Sequence, residues 1–182
     1  MLQQRACDLT SNPYLRRRLE MTSRRSFLTL ASAAAAIAPR SMAQAASSAG
    51  ASAANSALLD RYAAAINAHD TTLFPTIFSE NYIQHSGRSP SGLAAQVENF
   101  HRIQETWPDI QMHVEDRIID GDKVVARCTY TATHDHTVRG FAATGRTISF
   151  ATIDIWRVEN SKFAEHWDLV DTAGLERQLA GK

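Results

Sequence analysis

Two strand-like runs, Arg146 to Val158 and Lys162 to about Asp171, flank the turn residues Glu159-Asn160-Ser161. That pattern predicts a β-hairpin, and a hairpin dictates which side chains can meet. Residues two apart on a strand point the same way. His166 and Asp168 therefore share one face of the second strand, and Asp154 and Trp156 share one face of the first. Two carboxylates, an imidazole and an indole are brought toward one patch, a side-chain set suited to proton transfer.

The beginning of the chain reads as an address rather than as fold. Ser23-Arg24-Arg25-Ser26-Phe27-Leu28 precedes an apolar run from Leu28 to Ala38, and Ala43-Gln44-Ala45 offers small residues where a signal peptidase cuts. Charged, then apolar, then small-x-small is the order of a secretory signal, and the run is too short to span a membrane. The paired Arg24 and Arg25 resemble the twin-arginine export signal, which carries folded proteins. An ordinary signal peptide that contains two arginines is the alternative. Met21 would begin a signal of ordinary shape, which makes it a second candidate start. The expected organisation is a signal over 1–45, a flexible Ala/Ser/Gly/Asn spacer over 46–56 and one domain over 57–182, delivered to the periplasm or secreted.

The chain holds 19 basic and 19 acidic residues, but seven of the basic and two of the acidic lie in the first 45 positions, leaving a mature charge of −5. Such a surface disfavours nucleic acid as a partner, and no membrane contact is expected once the signal is removed. Cys128 is the cysteine that survives cleavage, so no intrachain disulfide can form. It alternates with Ala126 and Tyr130 and reads as a small buried side chain.

Leu58, Leu59, Tyr62, Ala65, Ile66 and His69 recur at helical spacing behind Ser56, predicting a first helix that ends near Asn67 to Asp70. A short second helix is predicted with Leu73, Phe74, Ile77 and Phe78 inside and Pro75 in its first turn. Tyr82 to His85 reads as a short strand, and Ser86 to Pro90 as a loop. A third helix from about Ser91 carries Leu93, Val97, Phe100, Ile103 and Trp107 on one stripe and stops at Pro108. Beyond it Met112, Val114 and Ile118 alternate with His113, Glu115 and Arg117, and Asp120-Gly121 predicts a tight turn into a strand over Lys123 to His134. After the closing hairpin, Leu175 to Leu179 reads as a helical turn or two. Helices first and a curled sheet afterwards is an α+β arrangement: a cone-shaped, curved antiparallel sheet with helices closing a pocket.

A series of short motifs runs through this domain in order: Asn67-Ala68-His69-Asp70, Tyr82-Ile83-Gln84-His85, Trp107-Pro108-Asp109, Asp120-Gly121-Asp122-Lys123-Val124, Thr133-His134, Ala143-Thr144-Gly145-Arg146, Ile153-Asp154-Ile155-Trp156-Arg157 and Glu165-His166-Trp167-Asp168. In this order the chain resembles the SnoaL-like polyketide cyclases, or ester cyclases, of the nuclear-transport-factor-2-like superfamily. The resemblance implies the cystatin-like roll of that superfamily, a deep pocket, no cofactor and frequent assembly into homodimers or higher homo-oligomers. In the cyclases an aspartate acts as general acid and base in an intramolecular aldol closure, and it matches Asp168. Their helper histidine falls at Asp154, where this chain has a carboxylate, and Ala132 stands where the family usually has Gly.

Within this frame Asp168, His166 and His85 are the catalytic candidates, and Asp154, His134, Trp156 and Tyr130 are the candidates for contact with substrate. Asp168 would move a proton from a carbon beside a carbonyl, or else be a strand carboxylate paired with Arg157 or Arg127. His166 would orient Asp168 or donate to an enolate oxygen, or else bridge sheet and helix. His85 is placed at the pocket rim. His134-Asp135-His136 lacks a third well-placed ligand, so no metal site is expected. Two functions of different class remain open: a cofactor-independent cyclase, isomerase or lyase acting on a hydrophobic carbonyl-bearing molecule, and a pocket protein that only binds one.

Overall fold

The computed structural model describes residues 38–181. The expected signal sequence, with Arg24 and Arg25, lies outside these residues apart from its last positions. The first element, α1 (Ala38–Asn67), is one helix that continues straight through the segment expected to be a flexible spacer. Alanine is the strongest helix former, and the Ala-rich 46–56 stretch contains no proline to interrupt the ladder. That part of the helix buries no side chain, whereas Leu58, Leu59, Tyr62, Ala65 and Ile66 further along are buried. Among the described residues no helix is long and apolar enough to cross a membrane.

Asp70 caps a single 3-10 turn, Thr71–Leu73, through its carboxylate and the Thr72 N–H, and this leads into the one-turn α2 (Phe74–Ile77). Phe74 and Ile77 are buried as expected, but Leu73 is exposed because the tight 3-10 turn rotates it away from the sheet. Then come β1 (Phe78–Gln84), α3 (Leu93–Thr106), β2 (Gln111–Asp120), β3 (Lys123–Thr133), β4 (Thr147–Glu159), β5 (Lys162–Val170) and α4 (Thr172–Leu179). Phe78, read from sequence as the end of a helix, instead opens β1.

The five strands form one sheet in the order β1-β5-β4-β3-β2. The α+β architecture is the one expected, with one correction to the sheet: β1 runs parallel to β5, so the sheet is mixed rather than wholly antiparallel. A parallel neighbour needs a long crossover, and everything from α3 to β4 supplies it. Asn160 and Ser161 make the two-residue turn between β4 and β5 with φ of 51° and 61°, the left-handed pair that matches strand twist.

A bulge between Val114 and Asp116 breaks the alternation of β2. One extra residue reverses facing. Arg117 therefore turns inward to meet Asp60 and Ser56 of α1, and Ile118, expected inside, is 63% exposed.

The core gathers in two clusters. One lies under α1, where the Tyr62 ring meets Phe74, Phe78, Trp156 and Phe163 at centroid distances of 5.4–6.4 Å. The other lies under α4 and holds Trp107, Ile110, Ile148, Leu175 and Leu179.

Candidate active site

The inner face of the sheet carries the predicted patch. Strand register sets Asp154 opposite Asp168 and Trp156 opposite His166, so the four make a block of cross-strand neighbours. Asp154, His166 and Asp168 line a cavity of about 630 Å3, whose wall also includes Tyr62, Gln84 and Tyr130. A cavity of this size suits a small organic ligand.

Hydrogen bonds settle what each group can do. The Gln84 Oε1 accepts from the Ser86 N–H at 3.1 Å, which turns the amide NH2 toward His166. Gln84 Nε2 then donates to His166 Nδ1 at 2.9 Å. A ring nitrogen that accepts carries no proton, so the proton sits on Nε2, which donates to Asp154 Oδ1 at 3.0 Å. The Thr152 hydroxyl donates to the other Asp154 oxygen. Beneath the imidazole lies the Trp156 indole, 4.9 Å away and within 4° of parallel. His166 thus has no free lone pair, and both Asp154 oxygens are engaged.

Asp168 differs. Its side chain is 5% exposed and one oxygen pairs with Arg88 from the loop after β1, while Oδ1 has no hydrogen-bond partner among the described residues. Of the three titratable groups in the block, it alone keeps an acceptor for something entering the cavity.

The neighbouring hydroxyls and thiol stay neutral. Burial, reinforced by the Asp154 charge, raises the Tyr62 phenol well above its ordinary value. Burial, followed by the adjacent Tyr62, does the same to Tyr130. Burial pushes the Cys128 thiol up to about 12, which removes it as a nucleophile.

Several expected site residues fall elsewhere. Register pairs Gln84 with His166, and parity then turns His85 to the outer face. There it meets Glu165 at 2.8 Å and stacks on Trp167 at 4.3 Å; His85 and then Arg157 hold the Glu165 carboxyl below its usual range. Trp156 is a platform under His166 and forms no part of the cavity wall. His134 is fully buried at the end of β3, with Nδ1 3.1 Å from the Thr144 hydroxyl, and also lies outside that wall. His136 does reach the cavity wall, with Nδ1 2.5 Å from the Asp135 carboxylate. Among the described residues no three His, Cys, Asp or Glu side chains gather as a metal site would need.

Neither of the arginines offered as alternative partners of Asp168 pairs with it. Arg157 holds Glu165 at 2.5 Å and Glu159 at 3.3 Å, and Arg127 points outward. Arg88 takes the place, a loop residue with no periodicity to announce it. Gln84 does have a local signal, since it stands two residues after the buried Tyr82, on the same face of a strand.

Residues 56–179 match the sequence model of the SnoaL-like polyketide cyclases. Among solved structures, TsrD from Streptomyces laurentii is 30% identical with a TM-score of 0.65, covering 71% of this chain and 97% of its own. AclR from Streptomyces galilaeus, provisionally described as a hydroxylase, is 27% identical with a TM-score of 0.64, covering 72% and 98%. A SnoaL-like polyketide cyclase from Agrobacterium tumefaciens shares the fold at 22% identity and a TM-score of 0.62, covering 69% and 97%. A comparison with curated proteins found no match. The matched span covers every strand of the sheet and the whole inner face just described, and the chain belongs to the SnoaL-like polyketide cyclase family.

Proposed function

We propose that this protein is a cofactor-independent enzyme of the cyclase, isomerase or lyase type, using Asp168 as general base and acid on a hydrophobic carbonyl-bearing molecule. The observation that carries the reading is the contrast among the three titratable groups: Asp154 and His166 are saturated by protein partners, and Asp168 Oδ1 is not. The carboxylate would take the proton from a carbon beside a carbonyl, leaving an enolate. In a cyclase the enolate carbon bonds to a second carbonyl carbon of the same molecule, and Asp168 returns the proton to the new alkoxide. No electrons are gained or lost. Tyr62 and Tyr130, protonated and in the cavity wall, are donors for the oxygens that gain charge. Asp154, His166, Gln84 and Thr152 act as the frame behind the base.

A small β-dicarbonyl ester in deuterium oxide tests this without knowledge of the substrate. The protein should speed deuterium uptake at the acidic carbon, and Asp168→Asn should lower that rate by about two to four orders of magnitude while leaving the fold intact. Equal rates in both proteins would remove Asp168 from the chemistry. The Arg88 ion pair favours a second reading, binding without turnover, since it occupies one oxygen of the base. Under that reading neither protein accelerates exchange and Asp168→Asn alters only affinity. Twin-arginine export to the periplasm and assembly into homo-oligomers complete the proposal; the first is supported by the Arg24-Arg25 context and the second by the family, and sedimentation of the mature domain reads the second directly.

A further inference from the structure

Helix α3 holds a polar atom that no described residue satisfies. Gln96 stands three residues after Leu93 and four before Phe100, on the stripe that packs inward. It is 6% exposed, its side chain lines the cavity, and its Oε1 has no hydrogen-bond partner among the described residues. Its backbone N–H is bonded to the Gly92 carbonyl at 3.0 Å, so the unpaired atom is the side-chain oxygen. A buried acceptor without a donor costs stability, and a leucine of similar size would avoid the cost with equal helix propensity. The amide is therefore a liability to the empty protein and an asset only when something in the cavity donates to it.

We infer that Gln96 is a specificity-determining residue that selects ligands carrying a hydroxyl or N–H donor on an apolar, ring-sized body. The chemical class follows from the wall. Phe100, Trp107, Tyr130 and Phe150 offer aromatic surface for the body, and the Gln96 oxygen receives the donor. A site built to accept from a hydroxyl discriminates strongly against the analogue that lacks it, because the acceptor is then left unpaired. This rests on reading the cavity as the substrate site, but it makes no use of Asp168 or of turnover.

Two measurements on the mature domain test it. In the first, 1-naphthol and 1-methoxynaphthalene are titrated against the intrinsic tryptophan fluorescence, with Trp107 in the cavity wall as reporter. The naphthol should bind about tenfold or more tightly than its methyl ether, and Gln96→Leu should erase that preference. In the second, thermal unfolding of the ligand-free protein should shift upward by about 3 °C in Gln96→Leu, with Gln96→Met behaving alike. A structural role, such as a water bridge into the protein's own hydrogen bonds, predicts the opposite shift. Equal affinity for the two probes, no binding of either at millimolar concentration, or a lowered unfolding midpoint in both variants would overturn the assignment. Loss of exchange activity in Asp168→Asn bears on none of these outcomes, so the two readings fail separately.

Discussion

Asp154 and Asp168 stand directly opposite each other on β4 and β5, facing the same cavity, and yet they have no partner in common. Thr152 and His166 hold the first, and Arg88 holds the second. Like charges set across a ladder repel unless each is separately compensated. This division lets one carboxylate serve as scaffold while the other stays available.

The His166 tautomer is the first expected outcome. Nitrogen NMR of the labelled domain at neutral pH should show Nδ1 as the unprotonated ring nitrogen and Nε2 as the protonated one. Gln84→Glu replaces the amide donor with an acceptor, so Nδ1 must then supply the proton while Nε2 continues to donate to Asp154. Both nitrogens should appear protonated in that variant. A wild-type spectrum with the proton on Nδ1 would break the relay at its first step.

Acid stability is the second. Asp109 accepts from the Thr133 hydroxyl at 2.6 Å and from the Thr133 N–H at 2.9 Å, and these bonds, the hydroxyl foremost, hold its carboxyl below the usual range. A depressed folded value means that the bonds contribute fully above the unfolded value of ~3.9 and lose their contribution as pH falls through the folded value. Asp109→Ala should cost about 1 kcal/mol near pH 7, a small figure because the group is largely exposed. Urea denaturation at descending pH should show the gap between wild type and variant closing below about pH 4. A gap independent of pH would mean that the side chain contributes by packing alone.

Export is the third. Paired guanidinium groups distinguish a twin-arginine signal from a general one. The double variant Arg24→Lys, Arg25→Lys should accumulate as uncleaved precursor, whereas the wild type should be cut after Ala45. Fractionation and N-terminal sequencing read both. Normal delivery of the double variant would point to the general secretion route.

How much of this was legible in the sequence depends on the range of the information each part needs. The hairpin over β4 and β5 is local, and period two sufficed to bring Asp154, Trp156, His166 and Asp168 onto one face. His85 failed for the opposite reason. Its facing depends on which residue of β5 lies beside Gln84, a pairing across 82 positions that no local pattern encodes. Ile118 failed because a bulge adds one residue without a composition signal. Arg88 sits in a loop, where reach rather than periodicity decides the partner. The 46–56 segment is helical by propensity alone: an Ala/Ser stretch continuous with a packed helix needs no buried face of its own.

The parallel pairing of β1 with β5 also bears on how the site comes into being. Two neighbouring strands of the sheet under the cavity come from positions 82 residues apart, so Gln84 cannot find His166 until every strand from β2 to β5 has left the ribosome. Closing so long a loop is slow relative to forming the β4/β5 hairpin. The frame around Asp168 is therefore among the last things to assemble, and a chain truncated before β5 would carry helices and a partial sheet without His166 or Asp168.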